Sequence, residues 1–174
     1  VGYLTDTSRL KLIPGAGEAI ALLNEFGVPT ILTTNQAGVA RGYFKESMVI
    51  ECNRKLEKML AVFGGKLDAL YYCPHHPEVG KKPYRVDCNC RKPKPGMLLK
   101  GEEEFNLNLS KSYVIGDKAS DLEVADRVKA KSILVKTGYG LGEVLYGKKK
   151  WKVKPLVVCE NLYEAVKYIL EKEF

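Results

Sequence analysis

Long apolar runs are missing from this 174-residue sequence. No stretch approaches the length of a membrane span, and no secretory signal is visible in it. No membrane partner is expected, and a cytoplasmic location is the default expectation. Two glycine fingerprints are absent as well: neither GxGxxG nor GxxxxGK[ST] occurs, so neither a dinucleotide site nor a P-loop is supported. Histidine is scarce. Its two copies, His75 and His76, share one loop, and Ser47 and Ser112 lack an elbow-like setting, so a Ser-His-Asp triad is a poor explanation. The five cysteines are odd in number and unevenly spread, which argues against a disulfide framework.

What is present is an ordinary globular composition, 45% hydrophobic and 28% charged, on a length that suits one domain over residues 1–174. The formal net charge of +7 comes mostly from lysine and suits an anionic partner, whether nucleic acid, an acidic surface or a small phosphorylated substrate. Trp151 lies among the lysines of segment 148–154, a pattern compatible with nucleic acid. A solvated connection before the last strand explains it more simply, so nucleic acid is not the expected partner.

Cys73-Pro74-His75 and Cys88-Asn89-Cys90 stand apart from the other cysteines. Three thiolates and one imidazole make a natural tetrahedral set for Zn²⁺. Twelve residues separate the pairs, among them Pro77, Gly80 and Pro83, so loop 73–90 is not expected to form helix or strand. His75 is preferred to His76 because it repeats the one-residue gap of Cys88 and Cys90. Four protein ligands leave no open position, which points to a structural clip. Arg91 and Lys92 follow directly, one a forked donor and the other a compact charge, and both suit phosphate. Surface placement without function remains the alternative for each.

Apolar periodicity predicts a helix after Pro14-Gly15 and another over 46–63, with Val49, Cys52, Leu56, Met59, Leu60 and Phe63 inward. Further helices are expected after Pro95-Gly96, over 120–128 and over 162–170. Strands are expected at 28–33, 67–72, 112–116, 132–136 and 155–159. Alternating strands and helices indicate an α/β fold with a parallel sheet covered on both faces. Thr34-Asn35 then follows a strand, where such folds place ligand loops. Its hydroxyl and amide fit a phosphoryl oxygen and a sugar hydroxyl, or equally a tight turn. Asp117 and Asp121 flank the turn after the strand at 112–116. They fit Mg²⁺ there, or a helix cap plus a surface acid. Lys118 fits a phosphate or an ion pair with Asp121, and Arg41 is a weaker candidate for substrate contact.

Taken together, segments 34–44 and 71–77, Cys88-Asn89-Cys90-Arg91-Lys92-Pro93 and Val114-Ile115-Gly116-Asp117-Lys118 carry a resemblance. The chain resembles the haloacid-dehalogenase-like phosphatases, and among them the D-glycero-D-manno-heptose-1,7-bisphosphate 7-phosphatases. The resemblance implies a Rossmann-like parallel-sheet sandwich without a large cap domain. In it Thr34 binds the transferring phosphoryl group, Lys92 neutralises it and Asp117 ligates Mg²⁺, with Lys118 and Asp121 in support. Asn35, Arg41 and Arg91 would recognise the sugar or its remaining phosphate, and Cys73, His75, Cys88 and Cys90 would carry Zn²⁺.

The implied reaction removes the 7-phosphate through an aspartyl-phosphate and leaves heptose 1-phosphate, a precursor for lipopolysaccharide. A monomer is expected. The family's DxDG[TV] motif supplies the attacking Asp and the acid–base Asp, and it is absent here; Asp6-Thr7-Ser8 does not replace it. Its strand would occupy the middle of the sheet. We therefore expect a longer parent enzyme, with these residues inactive alone. A histidinol-phosphate phosphatase is the nearest enzymatic alternative, and a noncatalytic zinc protein that binds nucleic acid or another partner is the alternative of a different class.

Overall fold

Gly15, at a left-handed φ of 82°, turns the chain into helix α1 (Ala16–Glu25), a conformation that costs glycine little. The computed structural model describes residues 2–174, which divide into two compact units, Gly2–Arg91 and Lys92–Phe174.

In the first unit, α1 buries Gly17, Ala19, Ile20 and Leu23. Strand β1 (Ile31–Asn35) follows, then helix α2 (Glu46–Ala61) and strand β2 (Ala69–Cys73). The two strands are parallel, in register from Ile31 opposite Ala69 to Asn35 opposite Cys73. β1 starts later than the apolar run suggests. Pro29 has no N–H to donate, and the Thr30 N–H bonds the Asp68 carboxylate at 2.8 Å. The strand consequently reaches Thr34 and Asn35, which sit on its last residues and not in the following loop. Of the inward set read for α2, Val49 and Leu60 are buried within the helix. Phe63 is not inward: it lies past the helix end, 44% exposed, with its ring against Gly17, where any Cβ would overlap it.

In the second unit, helix α3 (Gly96–Phe105) ends at Asn106, whose φ of 50° is left-handed. Strand β3 (Tyr113–Gly116), helix α4 (Ala119–Arg127), strand β4 (Lys131–Val135), strand β5 (Val157–Cys159) and helix α5 (Leu162–Glu173) complete it. The three strands are parallel in the order β3-β4-β5. Central β4 is buried from Ser132 to Val135 because helices cover the sheet. Ile133 and Val135 pack with Ala165 and Ile169 of α5, while α4 contributes the buried Leu122, Val124 and Ala125. Each fully buried Leu or Ile contributes roughly 1.5–3 kcal/mol to that core.

Among the described residues β1 pairs only with β2, and β3 only with β4. No cap domain is inserted after β1 or β2; segments 36–45 and 74–95 are loops and turns. No helix is long and apolar enough to cross a membrane.

Candidate functional site

β2 ends on Cys73, which is fully buried, and delivers it to the start of the loop that carries the other three candidate ligands. The loop folds back on itself: the His76 N–H bonds the Tyr84 carbonyl at 3.0 Å, and the Val86 N–H bonds the His76 carbonyl at 3.2 Å. Glu46 at the start of α2 ties it down by accepting from the hydroxyls of Tyr72 at 3.0 Å and Tyr84 at 2.7 Å. Cys88 and Cys90 are thereby returned to Cys73 and His75. The four donor atoms lie within 4.8 Å of one another and could hold a metal ion. Cys73 Sγ is 3.4 Å from Cys88 Sγ, which is 3.2 Å from Cys90 Sγ. His75 Nδ1 stands 3.4 Å from Cys90 Sγ and 3.8 Å from Cys73 Sγ. These separations are far beyond a disulfide bond, and all the cysteines are free.

Burial pushes the Cys73 and Cys90 thiols above their ordinary value. Burial acts upward on Cys88 too, but hydrogen bonds from Cys90, Cys73, the Arg91 backbone and His75 bring it down to about 7. Crowded thiols share their protons unequally, and a cation at their centre would displace them.

Beside this cluster, the Gln36 side-chain amide donates to Thr34 Oγ1 at 3.2 Å, and the Gln36 N–H bonds the Cys73 carbonyl at 2.7 Å. The turn that follows buries Ala37, Gly38, Val39 and Ala40 and projects Arg41 to the surface. Its Nη2 lies 3.3 Å from His76 Nε2. Arg91 reaches back so that Nη1 donates to the His75 carbonyl at 3.3 Å. Arg41, Arg91 and both histidines are therefore grouped, and His76 is distinct from the metal cluster.

In the second unit, Lys92 directs its ammonium to Asp121 Oδ1 at 2.7 Å. Asp121 Oδ2 accepts from the Lys118 N–H at 3.1 Å, so this carboxylate caps α4 and neutralises Lys92 together. Gly116 makes room for it, since a Cβ there would overlap the Asp121 carboxyl. Asp117, one residue past β3, accepts from the Tyr139 N–H through Oδ2 at 2.9 Å. The Lys118 ammonium sits 3.8 Å from the centre of the Tyr139 ring. The sequence left Lys118 to bind a phosphate or to pair with Asp121; its ammonium is on an aromatic face and only its backbone meets Asp121. Asp117 and Lys92 thus converge on the carboxyl end of β3.

Sequence reasoning missed the segment Thr137-Gly138-Tyr139-Gly140. Gly138, at φ 65°, passes so close that a Cβ would overlap Asp117 Oδ2, and one on Gly140 would overlap the Val135 carbonyl. Two glycines spaced by one residue, directly after a buried strand, were the available signal.

The chain matches the HAD-hydrolase-like family over residues 89–165. It is 43% identical over 143 residues to the D-glycero-beta-D-manno-heptose-1,7-bisphosphate 7-phosphatase of Pasteurella multocida, covering 82% of this chain and 77% of the relative. It is 36% identical over 170 residues to the same enzyme of Vibrio cholerae, covering 97% and 88%. The crystal structure of D,D-heptose 1,7-bisphosphate phosphatase from B. bronchiseptica, complexed with magnesium and phosphate, superposes with a TM-score of 0.85 at 29% identity, over 98% of this chain and 89% of that one. The chain belongs to the haloacid-dehalogenase-like superfamily, in the family of the D-glycero-D-manno-heptose-1,7-bisphosphate 7-phosphatases.

Proposed function

We propose that this protein hydrolyses the 7-phosphate of D-glycero-D-manno-heptose 1,7-bisphosphate to heptose 1-phosphate, as a cytoplasmic monomer acting as one phosphatase domain. The observation that carries the reading is the buried Lys92–Asp121 pair beside Asp117 at the tip of β3. It fixes a cation next to a carboxylate where a phosphoryl group needs both. The relatives in Pasteurella multocida and Vibrio cholerae, phosphatases of this substrate, support the substrate class. The family's attacking Asp and acid–base Asp belong to a DxDG[TV] motif that the 174 residues do not contain, so the proposal concerns a protein in which that motif accompanies this chain.

Lys92 neutralises charge on the transferring phosphoryl oxygens. The Thr34 hydroxyl, oriented by Gln36, donates to such an oxygen, and Asn35 and Arg91 hold the sugar. Arg41 reads the far end of the substrate. Asp117 offers hard oxygen donors at the strand tip, which suits Mg²⁺, the ion present in the B. bronchiseptica structure. Bound there, Mg²⁺ would screen phosphoryl charge. Both oxygens of Asp121 are engaged, which supports an orienting role for it rather than direct ligation. Lys118 adds positive potential at the same tip.

At Cys73, His75, Cys88 and Cys90 we infer Zn²⁺. Tetrahedral Zn–S bonds of about 2.3 Å place sulfurs about 3.8 Å apart. The 3.2 and 3.4 Å separations and the one-nitrogen, three-sulfur donor set fit that ion with small adjustments. The zinc is structural: it fixes the loop that ends in Arg91.

The test compares kcat/KM for heptose 1,7-bisphosphate and histidinol phosphate with the natural full-length protein. Preference for the heptose substrate is expected; preference for histidinol phosphate, or salt-dependent nucleic-acid binding without turnover, contradicts the reading.

A further inference from the structure

Two lysines stand near the tip of β3, and they are held in different ways. Lys92 is neutralised by the Asp121 carboxylate at 2.7 Å. The Lys118 ammonium forms no ion pair with a carboxylate among the described residues. It sits instead 3.8 Å from the centre of the Tyr139 ring. The two anchors differ in what they do to charge. A carboxylate cancels the field of the lysine it holds. An aromatic face attracts a cation through its quadrupole and leaves the net charge whole.

The ring is placed by the segment that follows β4. Gly138, at φ 65°, passes close against Asp117 Oδ2, and Gly140 does the same against the Val135 carbonyl. These approaches bring the Tyr139 N–H to Asp117 Oδ2 at 2.9 Å. Four residues on, the Glu143 N–H bonds the Tyr139 carbonyl at 3.0 Å. The Glu143 carboxylate accepts from the Ala119 N–H at 3.4 Å and from Trp151 Nε1 at 3.1 Å. The segment is therefore tied to the residue before Lys118 and to the residue after it. Tyr139 is fixed beside Lys118 from both sides.

We propose that Tyr139 is a positioning residue: its N–H orients Asp117, and its ring holds the Lys118 ammonium at the strand tip without neutralising it. A lysine stem is flexible, and ordering it before an anion arrives lowers the cost of binding. The charge so held stays available to phosphoryl oxygens. That those oxygens belong to a heptose phosphate rests on the function proposed above; the coupling of Tyr139 to Lys118 does not.

Calorimetric titration of the natural full-length protein with inorganic phosphate, at saturating Mg²⁺, tests it. Tyr139→Leu should weaken phosphate binding about two- to fivefold, the worth of an exposed cation–π contact. Tyr139→Phe keeps a ring and should restore the parent's affinity. Lys118→Met should weaken binding by itself, and adding Tyr139→Leu to it should change nothing further. Mg²⁺ affinity should be the same in Tyr139→Leu as in the parent, because the N–H to Asp117 is retained; general damage to the strand tip would lower both affinities. In proton NMR, the ring current should shift the Lys118 Hε resonances upfield in the parent and in Tyr139→Phe, and not in Tyr139→Leu. Equal losses in Tyr139→Leu and Tyr139→Phe, no loss in Tyr139→Leu, or a loss that persists in the Lys118→Met background overturns the proposal. Failure of heptose bisphosphate turnover with this coupling intact would count against the enzymatic reading alone.

Discussion

The ammonium of Lys92 lies 2.7 Å from Oδ1 of Asp121, with side-chain exposures of 13% and 6%. In a pair this dry, removing one charge is costly because the other stays buried. Asp121→Ala takes the carboxylate from the buried Lys92 and also releases the Lys118 N–H, so it should cost about 3–5 kcal/mol in urea unfolding. Lys92→Met leaves Asp121 with its backbone donor and should cost less, while reducing phosphatase turnover far more than stability. Equal stability losses would refute this division of roles.

Chelation should unfold the loop around the metal clip. Metal removal, or Cys88→Ser, should lower Tm by at least about 10 °C, because metal binding free energy at such sites is folding free energy. Cobalt substitution reports the geometry, with the absorption of a tetrahedral thiolate site expected. Metal occupancy should fall with falling pH. The Cys73 and Cys90 thiols hold their protons above the ordinary value and Cys88 titrates at about 7, so acid competes directly with the ion. A Tm unmoved by chelation would remove the clip from the account.

Gly138→Ala should disrupt the strand tip from behind. The residue is at φ 65° and its new methyl would overlap Asp117 Oδ2. About 1–3 kcal/mol of stability should be lost, together with Mg²⁺ affinity measured by calorimetry. Gly142→Ala is the control. Nothing lies within 4 Å of its Cβ position and its φ of −63° is helical, so it should be neutral or mildly stabilising.

A surface clamp gives a pH signature unrelated to catalysis. Glu173 of α5 accepts from Lys131 Nζ at 2.6 Å and from the Tyr113 hydroxyl, joining the helix to β4 and β3. Hydrogen bonds from Lys131, then Tyr113, hold its carboxyl below the ordinary 4.5. A depressed acid stabilises the fold fully above its unfolded value and ceases to do so as pH falls through its folded value. The urea midpoint of Glu173→Gln should therefore sit below the parent's at neutral pH and converge with it as pH falls below the carboxyl's ordinary value, through its lowered folded one.

The helices and five strands were legible because periodicity and glycine or proline boundaries agree with burial. The helix over 46–61 and the strands at 113–116 and 131–135 lie within two residues of expectation. The gathering of Cys73, His75, Cys88 and Cys90 was legible because ligand spacing is chemistry written along the chain. What sequence could not supply was direction. Asp117 and Asp121 looked like one acidic pair, yet one faces the Tyr139 N–H and the other is enclosed by Lys92 and Lys118. His76 looked like a spare ligand, and only its two backbone donors make it a fixed tautomer. Tyr139 carried no signal by itself, since its position over Lys118 depends on two glycines, one set against the Asp117 carboxylate far back along the chain and the other against the Val135 carbonyl.

The central claim is that the reacting group is the phosphate at C7, held at the carboxyl end of β3. Phosphorus NMR of heptose 1,7-bisphosphate incubated with Mg²⁺ and the natural full-length protein reads this directly. The account predicts growth of inorganic phosphate at the expense of the C7 signal while the C1 signal persists, and no such change with Asp117→Asn. Loss of the C1 signal first, or undiminished turnover in Asp117→Asn, would contradict it.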